Sequence, residues 1–144
     1  MKKRILIIII AVALGVSFII FKRMKKPTNT AAYTVGILQT ASHPALDAAR
    51  DGFVEELKNK MGTAVEFIIQ NAQGSVANAH AIAQQFHANQ HLNGFFAIAT
   101  PAAQAMSALE KERPIFIAAV TDPHALGLVH PTTNVCGVKD MIDV

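Results

Sequence analysis

Short apolar runs and longer amphipathic stretches alternate along this chain from residue 33 onward. The runs hold five or six residues each and are rich in β-branched and aromatic side chains, which is typical of buried strands. The run Phe95–Ala99 is entirely apolar, which favours a central position in the sheet. The predicted strands are Tyr33–Leu38, Ala64–Ile69, Phe95–Ala99 and Ile115–Val120, with a last short extended piece around Val135–Val138.

Helical periodicity fills the segments between the first four strands. From Pro44 to Met61 apolar residues recur at spacings of three and four, and the fixed φ of Pro44 suits a first helical turn. Ser75 is the predicted N-cap of a second helix that runs to Asn93-Gly94, and Pro101–Leu109 forms a short third helix. This alternation predicts an α/β fold with a parallel sheet and helices on both faces.

Three of the predicted strands are followed by a threonine, and a proline comes within four residues after each threonine. Thr40 follows the first strand, Thr100 the third and Thr121 the fourth. Because the carboxyl ends of parallel strands meet at one edge of a sheet, these loops predict a small-molecule cleft at that edge. The candidate ligand-binding residues are Thr40, Ser42, His43, Thr100, Pro101, Ala102, Thr121 and Asp122.

Each candidate also has a purely structural interpretation. The helix that begins after Thr100 offers backbone N–H groups that suit a carboxylate or a phosphate. Asp122 carries a carboxylate that suits an ammonium group, while Thr40, Ser42 and His43 would line the first wall of the cleft. Alternatively, Thr and Asp in such loops only cap helices and form turns. Three such loops at one edge favour the cleft.

Basic residues are concentrated at the N-terminus. Residues 1–26 hold seven of the 13 Lys and Arg residues and no acidic residue, which leaves six basic against ten acidic residues, or −4, in the remainder. The sequence pI of about 9.2 therefore says little about the predicted fold. Without a basic patch or interleaved aromatic residues there, we expect no nucleic-acid partner.

The N-terminal basic residues bracket Ile5–Phe21, a run of 17 residues without a charge. As a helix it would span roughly 25 Å, close to the thickness of a hydrocarbon core. We interpret residues 1–26 as an uncleaved membrane anchor, with a cleaved signal peptide as the alternative and Thr30-Ala31-Ala32 as its cleavage site. Residues 27–32 would then be a polar linker.

Other chemistry finds little support in the sequence. Cys136 is the single cysteine, so it cannot form an internal disulfide bond. His80, His87 and His91 share one side of the predicted second helix and leave a metal site open, although a solvated polar face is the favoured interpretation. No phosphate-binding loop or nucleophile elbow is present. We therefore expect no cofactor, no metal and no enzymatic activity.

Five separated motifs occur in order along the chain, at Gly36–Gln39, His43–Phe53, Gln70–Gly74, Ile98–Gln104 and Ala119–Pro123. Together they resemble the ABC-transporter substrate-binding protein family, whose better-understood members bind aromatic amino acids. The resemblance implies one lobe of a type I periplasmic-binding fold, a three-layer Rossmann-like sheet with flavodoxin-like strand order. It also implies an amino-acid-like ligand, ABC permease and ATPase partners, and an extracytoplasmic location.

Members of that family have roughly twice this length. The resemblance implies that residues 33–133 form the first lobe, that residues 134–144 begin the hinge or crossing segment, and that the second lobe is absent. With one wall, the cleft is expected to bind its ligand weakly. The sequence thus favours a truncated solute-binding component of an ABC importer. The alternative is a membrane-anchored one-lobe interaction protein without ligand-binding activity, docking a partner through an exposed apolar patch.

Overall fold

The computed structural model describes residues 31–124, 126–128 and 134–139. The predicted anchor or signal segment, including Ile5–Phe21, lies outside these residues, and no helix within them is long and apolar enough to cross a membrane. A single 3-10 turn, Gly62–Ala64, precedes the second strand. The helices and strands are β1 Tyr33–Gln39, α1 Pro44–Met61, β2 Val65–Asn71, α2 Val76–Ala88, β3 Gly94–Ile98, α3 Thr100–Leu109, β4 Ile115–Val120 and β5 Val135–Lys139.

The strands form one sheet in the order β2-β1-β3-β4-β5, and every neighbouring pair is parallel. This is the flavodoxin-like order, so the predicted α/β sheet is confirmed. The chain moves outward from β1 to β2 and then crosses back to β3 on the other side of β1. The carboxyl ends of β1 and β3 therefore flank the topological switch point, where ligands bind in open α/β sheets.

The two faces of the sheet are covered unequally. Helices α2 and α3 pack on one face around buried Leu38, Phe95 and Met106. Helix α1 packs on the other face, where the Phe53 ring stacks on Phe96 with 4.1 Å between centroids. No residue of α1 is fully buried, and on its face the β4 side chain of Phe116 remains 39% exposed. The sheet face over β4 is thus only partly covered.

Most predicted boundaries agree with the structure within two residues, but the second helix ends earlier than expected. It stops at Ala88 because Asn89 takes extended backbone angles, φ −81° and ψ 100°, while its N–H still makes the last bonds of the helix, to the carbonyls of Gln85 and Phe86. His91 consequently lies outside α2, so the prediction that His80, His87 and His91 share one helix is wrong. The predicted third strand, Phe95–Ala99, lies one residue too far along the chain. Strand β3 runs from Gly94 to Ile98, and the positive φ of Ala99 ends it.

A buried ionic network closes the amino edge of the sheet, opposite the predicted cleft. The Glu110 carboxylate is 2% exposed and accepts from the backbone N–H groups of Glu112 and Arg113 at 2.9 and 3.0 Å. The Arg113 guanidinium donates to it and to the carbonyls of Asn89 and Leu92, and lies 4.8 Å from the centroid of Phe95. The network ties the end of α2 to the entries of β3 and β4.

Candidate functional site

Thr40 joins the two strand ends at the switch point. Its hydroxyl donates to the carbonyl of Ile98 at 2.9 Å and accepts from the backbone N–H of Ala102 at 3.2 Å. The first bond links the end of β1 to the end of β3, and the second reaches the first turn of α3. Three sequence-predicted residues, Thr40, Thr100 and Ala102, are therefore brought together. The Thr40 hydroxyl donor is already used, which leaves an acceptor lone pair for a ligand.

Backbone strain is concentrated at the same edge. Among the described residues, three non-glycine positions have positive φ: Gln73 after β2, Ala99 after β3 and Ala119 near the end of β4. Ala99 has φ 72° and ψ 161°, a region that is essentially restricted to glycine. This conformation turns the chain sharply from β3 into α3. Strain of this kind persists only where the surrounding structure enforces it, and it clusters at functional sites.

Thr100 occupies the first position of α3 and is partly exposed. Helix α3 has no side-chain cap, the next residue is Pro101, and the N–H of Ala102 is bonded to Thr40. Within the described residues, neither the hydroxyl nor the backbone N–H of Thr100 has a hydrogen-bond partner. The anion-binding capacity of this helix terminus is therefore concentrated in the two donors of Thr100.

The loop after β1 holds the other two predicted residues of the first wall. The hydroxyl of Ser42 accepts from the side-chain amide of Asn71 at 3.0 Å, which links this loop to the end of β2. Nδ1 of His43 accepts from the N–H of Ala45 at 3.3 Å and caps α1. Both side chains are exposed at the carboxyl edge of the sheet. His43 combines the predicted position with a capping role that the sequence did not indicate.

Thr121 and Asp122 directly follow β4, one strand farther from the switch point than Thr100. Both residues are exposed. The carbonyl of Asp122 accepts from the N–H of Leu126 at 3.2 Å, and the buried Pro123 accepts from Leu128 at 2.9 Å, so a turn begins here. The structure thus places these two residues on the predicted edge and gives Asp122 the backbone role of a turn former as well.

A buried polar network behind the first loop was missed by the sequence reasoning. Gln39, the last residue of β1, is completely buried, and its amide contacts Asp47 and Arg50 of α1. Asp47 and Arg50 lie between the apolar positions of the helical pattern, which by itself predicts solvated side chains, but their side chains are only 37% and 24% exposed. The signal that could have revealed the network is Gln39 itself, a polar residue at the end of an otherwise apolar strand.

The alternative metal site finds no support in the described residues. No group of three or more His, Cys, Asp and Glu side chains there could hold a metal ion. His87 instead places Nδ1 at 3.2 Å from Oε2 of Glu110, as part of the network at the amino edge. Cys136 is exposed on β5.

Replacing Ala99 with glycine is expected to raise the free energy of unfolding by about 1 kcal/mol. Glycine adopts the observed φ without strain, and this gain exceeds the larger entropy that glycine has in the unfolded chain. Urea denaturation measures the change. The matched control is Ala48→Gly on the exposed side of α1, which should lose about 1 kcal/mol because glycine disfavours helices. A loss at both positions would show that Ala99 is unstrained.

Sequence similarity identifies the family. The profile of the family described as "ABC transporter substrate binding protein" matches residues 34–144. The chain is 35% identical over 160 positions to the tyrosine-binding protein of Clostridioides difficile strain R20291, an alignment that covers 99% of this chain and 46% of that protein. The chain belongs to the ABC transporter substrate-binding protein family.

Solved structures of similar proteins share the fold. The ligand-free, open structure of a substrate-binding protein with adhesive properties from Clostridium difficile is 41% identical, with a TM-score of 0.74 over 78% of this chain and 40% of that one. A domain from Streptococcus pneumonia in complex with L-Trp is 33% identical, with a TM-score of 0.69 over 74% and 38%. The parallel α/β sheet of the described residues matches one lobe of these binding proteins. The chain spans about half the length of the curated relative that it matches.

Proposed function

We propose that this chain is the solute-binding component of an ABC import system and captures an amino-acid-like ligand at the carboxyl edge of its sheet. The observation that carries the proposal is the joining of β1, β3 and α3 by Thr40 at the switch point, beside the unpartnered donors of Thr100. The relatives support the ligand class, since one is a tyrosine-binding protein and another is in complex with L-Trp. Such capture requires no covalent chemistry.

The described geometry suggests how a zwitterion would be held. Its carboxylate would accept from the hydroxyl and the backbone N–H of Thr100, with Pro101 and Ala102 forming the adjacent wall. Charge-assisted bonds of this kind are the stronger hydrogen bonds in proteins. Thr40, Ser42 and His43 would border the other side, and the carboxylate of Asp122, with Thr121 beside it, would face the ammonium group.

Replacing Thr100 or Asp122 with alanine is expected to weaken binding of L-tyrosine or L-tryptophan about tenfold to a hundredfold. Each change removes a charge-assisted hydrogen bond, which contributes about 1.5–3 kcal/mol. Isothermal titration calorimetry on the full chain measures the affinity. Thr63→Ala is the control, because Thr63 is an exposed threonine just before β2 at the opposite edge. Unchanged affinity in both site variants would refute the assignment.

The partners and location follow from the same proposal. A solute-binding component delivers its ligand to a membrane permease that an ATPase drives, and it works outside the cytoplasmic membrane. Ile5–Phe21 would tether the protein to that membrane or direct its export. We also propose that residues 134–144 lead from this lobe toward the hinge.

A membrane-anchored interaction protein without ligand binding is the second candidate, and one observation favours it. Phe116 of β4 pairs in register with the exposed Cys136 of β5, and Val138, two residues farther on the same face, is 74% exposed. These three residues form an apolar patch that could dock a partner. The titration separates the candidates, since this one requires that neither L-tyrosine nor L-tryptophan binds.

A further inference from the structure

The buried amide of Gln39 lies directly before the loop that carries Thr40, Ser42 and His43. Gln39 is completely buried at the end of β1. Burying an amide is costly unless all its polar atoms are bonded, whereas methionine, of similar size, could be buried there without that cost. The presence of glutamine therefore requires a structural reason, and the contacts of its amide supply one.

The amide of Gln39 connects three parts of the chain. Nε2 donates to the carbonyl of Ala41 at 2.8 Å and to Oδ1 of Asp47 at 2.7 Å. Oε1 accepts from Nη1 of Arg50 at 3.0 Å, and the same Nη1 donates to Oδ1 of Asp47 at 3.1 Å. Gln39, Asp47 and Arg50 form what we call the Gln39 clamp. It fastens the loop of residues 40–43 between the end of β1 and the beginning of α1.

The loop is also bonded on its far side. Asn71 donates to the hydroxyl of Ser42, and the carbonyl of Thr40 accepts from the N–H of Gly74 at 2.8 Å. These bonds come from residues at the end of β2 and beyond it. The clamp differs from these bonds in its position. Its donor is the buried side chain of Gln39, and the carbonyl that accepts, that of Ala41, lies in the middle of the loop.

We propose that the Gln39 clamp holds residues 40–43 in their ligand-binding conformation before a ligand arrives, which makes Gln39 a positioning residue of the site. A loop that is already ordered loses less conformational entropy on binding, so preorganisation increases affinity. The role of the loop toward a ligand rests on the proposed function. The rigidity of the loop does not, and the experiment separates the two.

The variant Gln39→Met removes all the hydrogen bonds of the clamp amide while keeping the side-chain length. Backbone order parameters from 15N relaxation of the full chain measure the effect. In the unmodified chain, Ala41, Ser42 and His43 should have order parameters near about 0.85, as rigid backbone does. In Gln39→Met they should fall below about 0.6, while those of β1 and β3 stay unchanged.

The matched control is Asn93→Ala. The side-chain amide of Asn93 also bonds to the backbone, because its Oδ1 accepts from the N–H of Thr34 at 2.8 Å, but at the amino edge of the sheet. It should leave the loop of residues 40–43 rigid. Arg50→Met is a second clamp variant whose side chain is partly exposed, so it tests the same loop if Gln39→Met fails to fold.

Titration with L-tryptophan completes the test. Gln39→Met should bind at least tenfold more weakly than the unmodified chain, whereas Asn93→Ala should bind as tightly as the unmodified chain. A loop that stays rigid in both clamp variants, or one that is already mobile in the unmodified chain, would overturn the clamp. Equal affinity of Gln39→Met and the unmodified chain would overturn its role in binding. If the unmodified chain binds no ligand while the loop loosens in the variants, the proposed function fails and the clamp stands.

Discussion

Replacing Glu110 with glutamine is expected to lower the free energy of unfolding by about 3 kcal/mol at neutral pH. Burial alone would raise the pKa of Glu110, but the backbone N–H groups of Arg113 and Glu112 and the side chains of Arg113 and His87 outweigh it and lower the pKa from 4.5 to about 2. Glutamine keeps the size of the side chain but loses the charge and turns an NH2 group toward these donors. Urea denaturation measures the loss.

The pH dependence of stability provides an independent check. Because the pKa of Glu110 is lower in the folded than in the unfolded chain, its ionised form stabilises the fold fully above about pH 4.5. This stabilisation is lost as the pH falls from 4.5 toward about 2. Glu110→Gln should lack this part of the slope. Glu112→Gln is the control, because its side chain is exposed and its backbone N–H still donates to Glu110. Equal stability of Glu110→Gln and the unmodified chain at pH 7 would contradict the prediction.

The strands and helices were predictable because local pattern and tertiary structure agree. Strand β4 has the predicted bounds, Ile115 and Val120. Helix α1 begins at Pro44 and ends at Met61, and Ser75 is the N-cap of α2, as predicted. Each boundary has a local cause, such as the fixed φ of Pro44 or the Ser75 hydroxyl, which accepts from the N–H of Asn78 at 3.2 Å. The early end of α2 was not predictable, because no glycine or proline marks Asn89.

The candidate site was predictable in location but not in internal bonding. Parallel topology alone brings the residues after β1, β3 and β4 to one edge, so Thr40, Thr100 and Thr121 could be grouped from sequence. The bonds of the Thr40 hydroxyl to Ile98 and Ala102 could not be predicted, because these partners are 58 and 62 residues away in the sequence. The same holds for the backbone of Ala99, since alanine carries no sequence signal for positive φ.

Bonding within the site also changes what each threonine is expected to do. The sequence treats Thr40 and Thr100 as equivalent hydroxyls at strand ends. In the structure Thr40 fixes the position of α3, while Thr100 keeps its donors available. Substitution of Thr40 should therefore loosen the junction of β1, β3 and α3, whereas substitution of Thr100 should act on ligand binding alone. Under the proposed function, Thr40 thus mainly holds the junction of the site together and Thr100 mainly donates to the ligand.

The strand β5 depends on a glycine. Gly137 pairs with Ile117 of β4, next to a register shift between Ile117 and Val120. A Cβ at Gly137 would overlap with the carbonyl oxygen and the Cγ1 of Ile117 and would lie 2.9 Å from its carbonyl carbon. Because the carbonyl oxygen and carbon are backbone atoms of a buried strand, they cannot move aside as the end of a flexible side chain would. Any residue other than glycine must displace β5.

Gly137→Ala is accordingly expected to lower the free energy of unfolding by about 3 kcal/mol, the upper end of the cost of overpacking. Hydrogen exchange should accelerate at Val135 and Val138 while β1 and β3 remain protected. Gly52→Ala is the control, because nothing lies within 4 Å of a Cβ at that position in α1, and it should stabilise the chain by about 1 kcal/mol. If residues 134–144 begin the hinge, Gly137→Ala also changes where that segment leaves the sheet. Unchanged exchange in β5 would show that the strand accommodates the methyl group without losing its register.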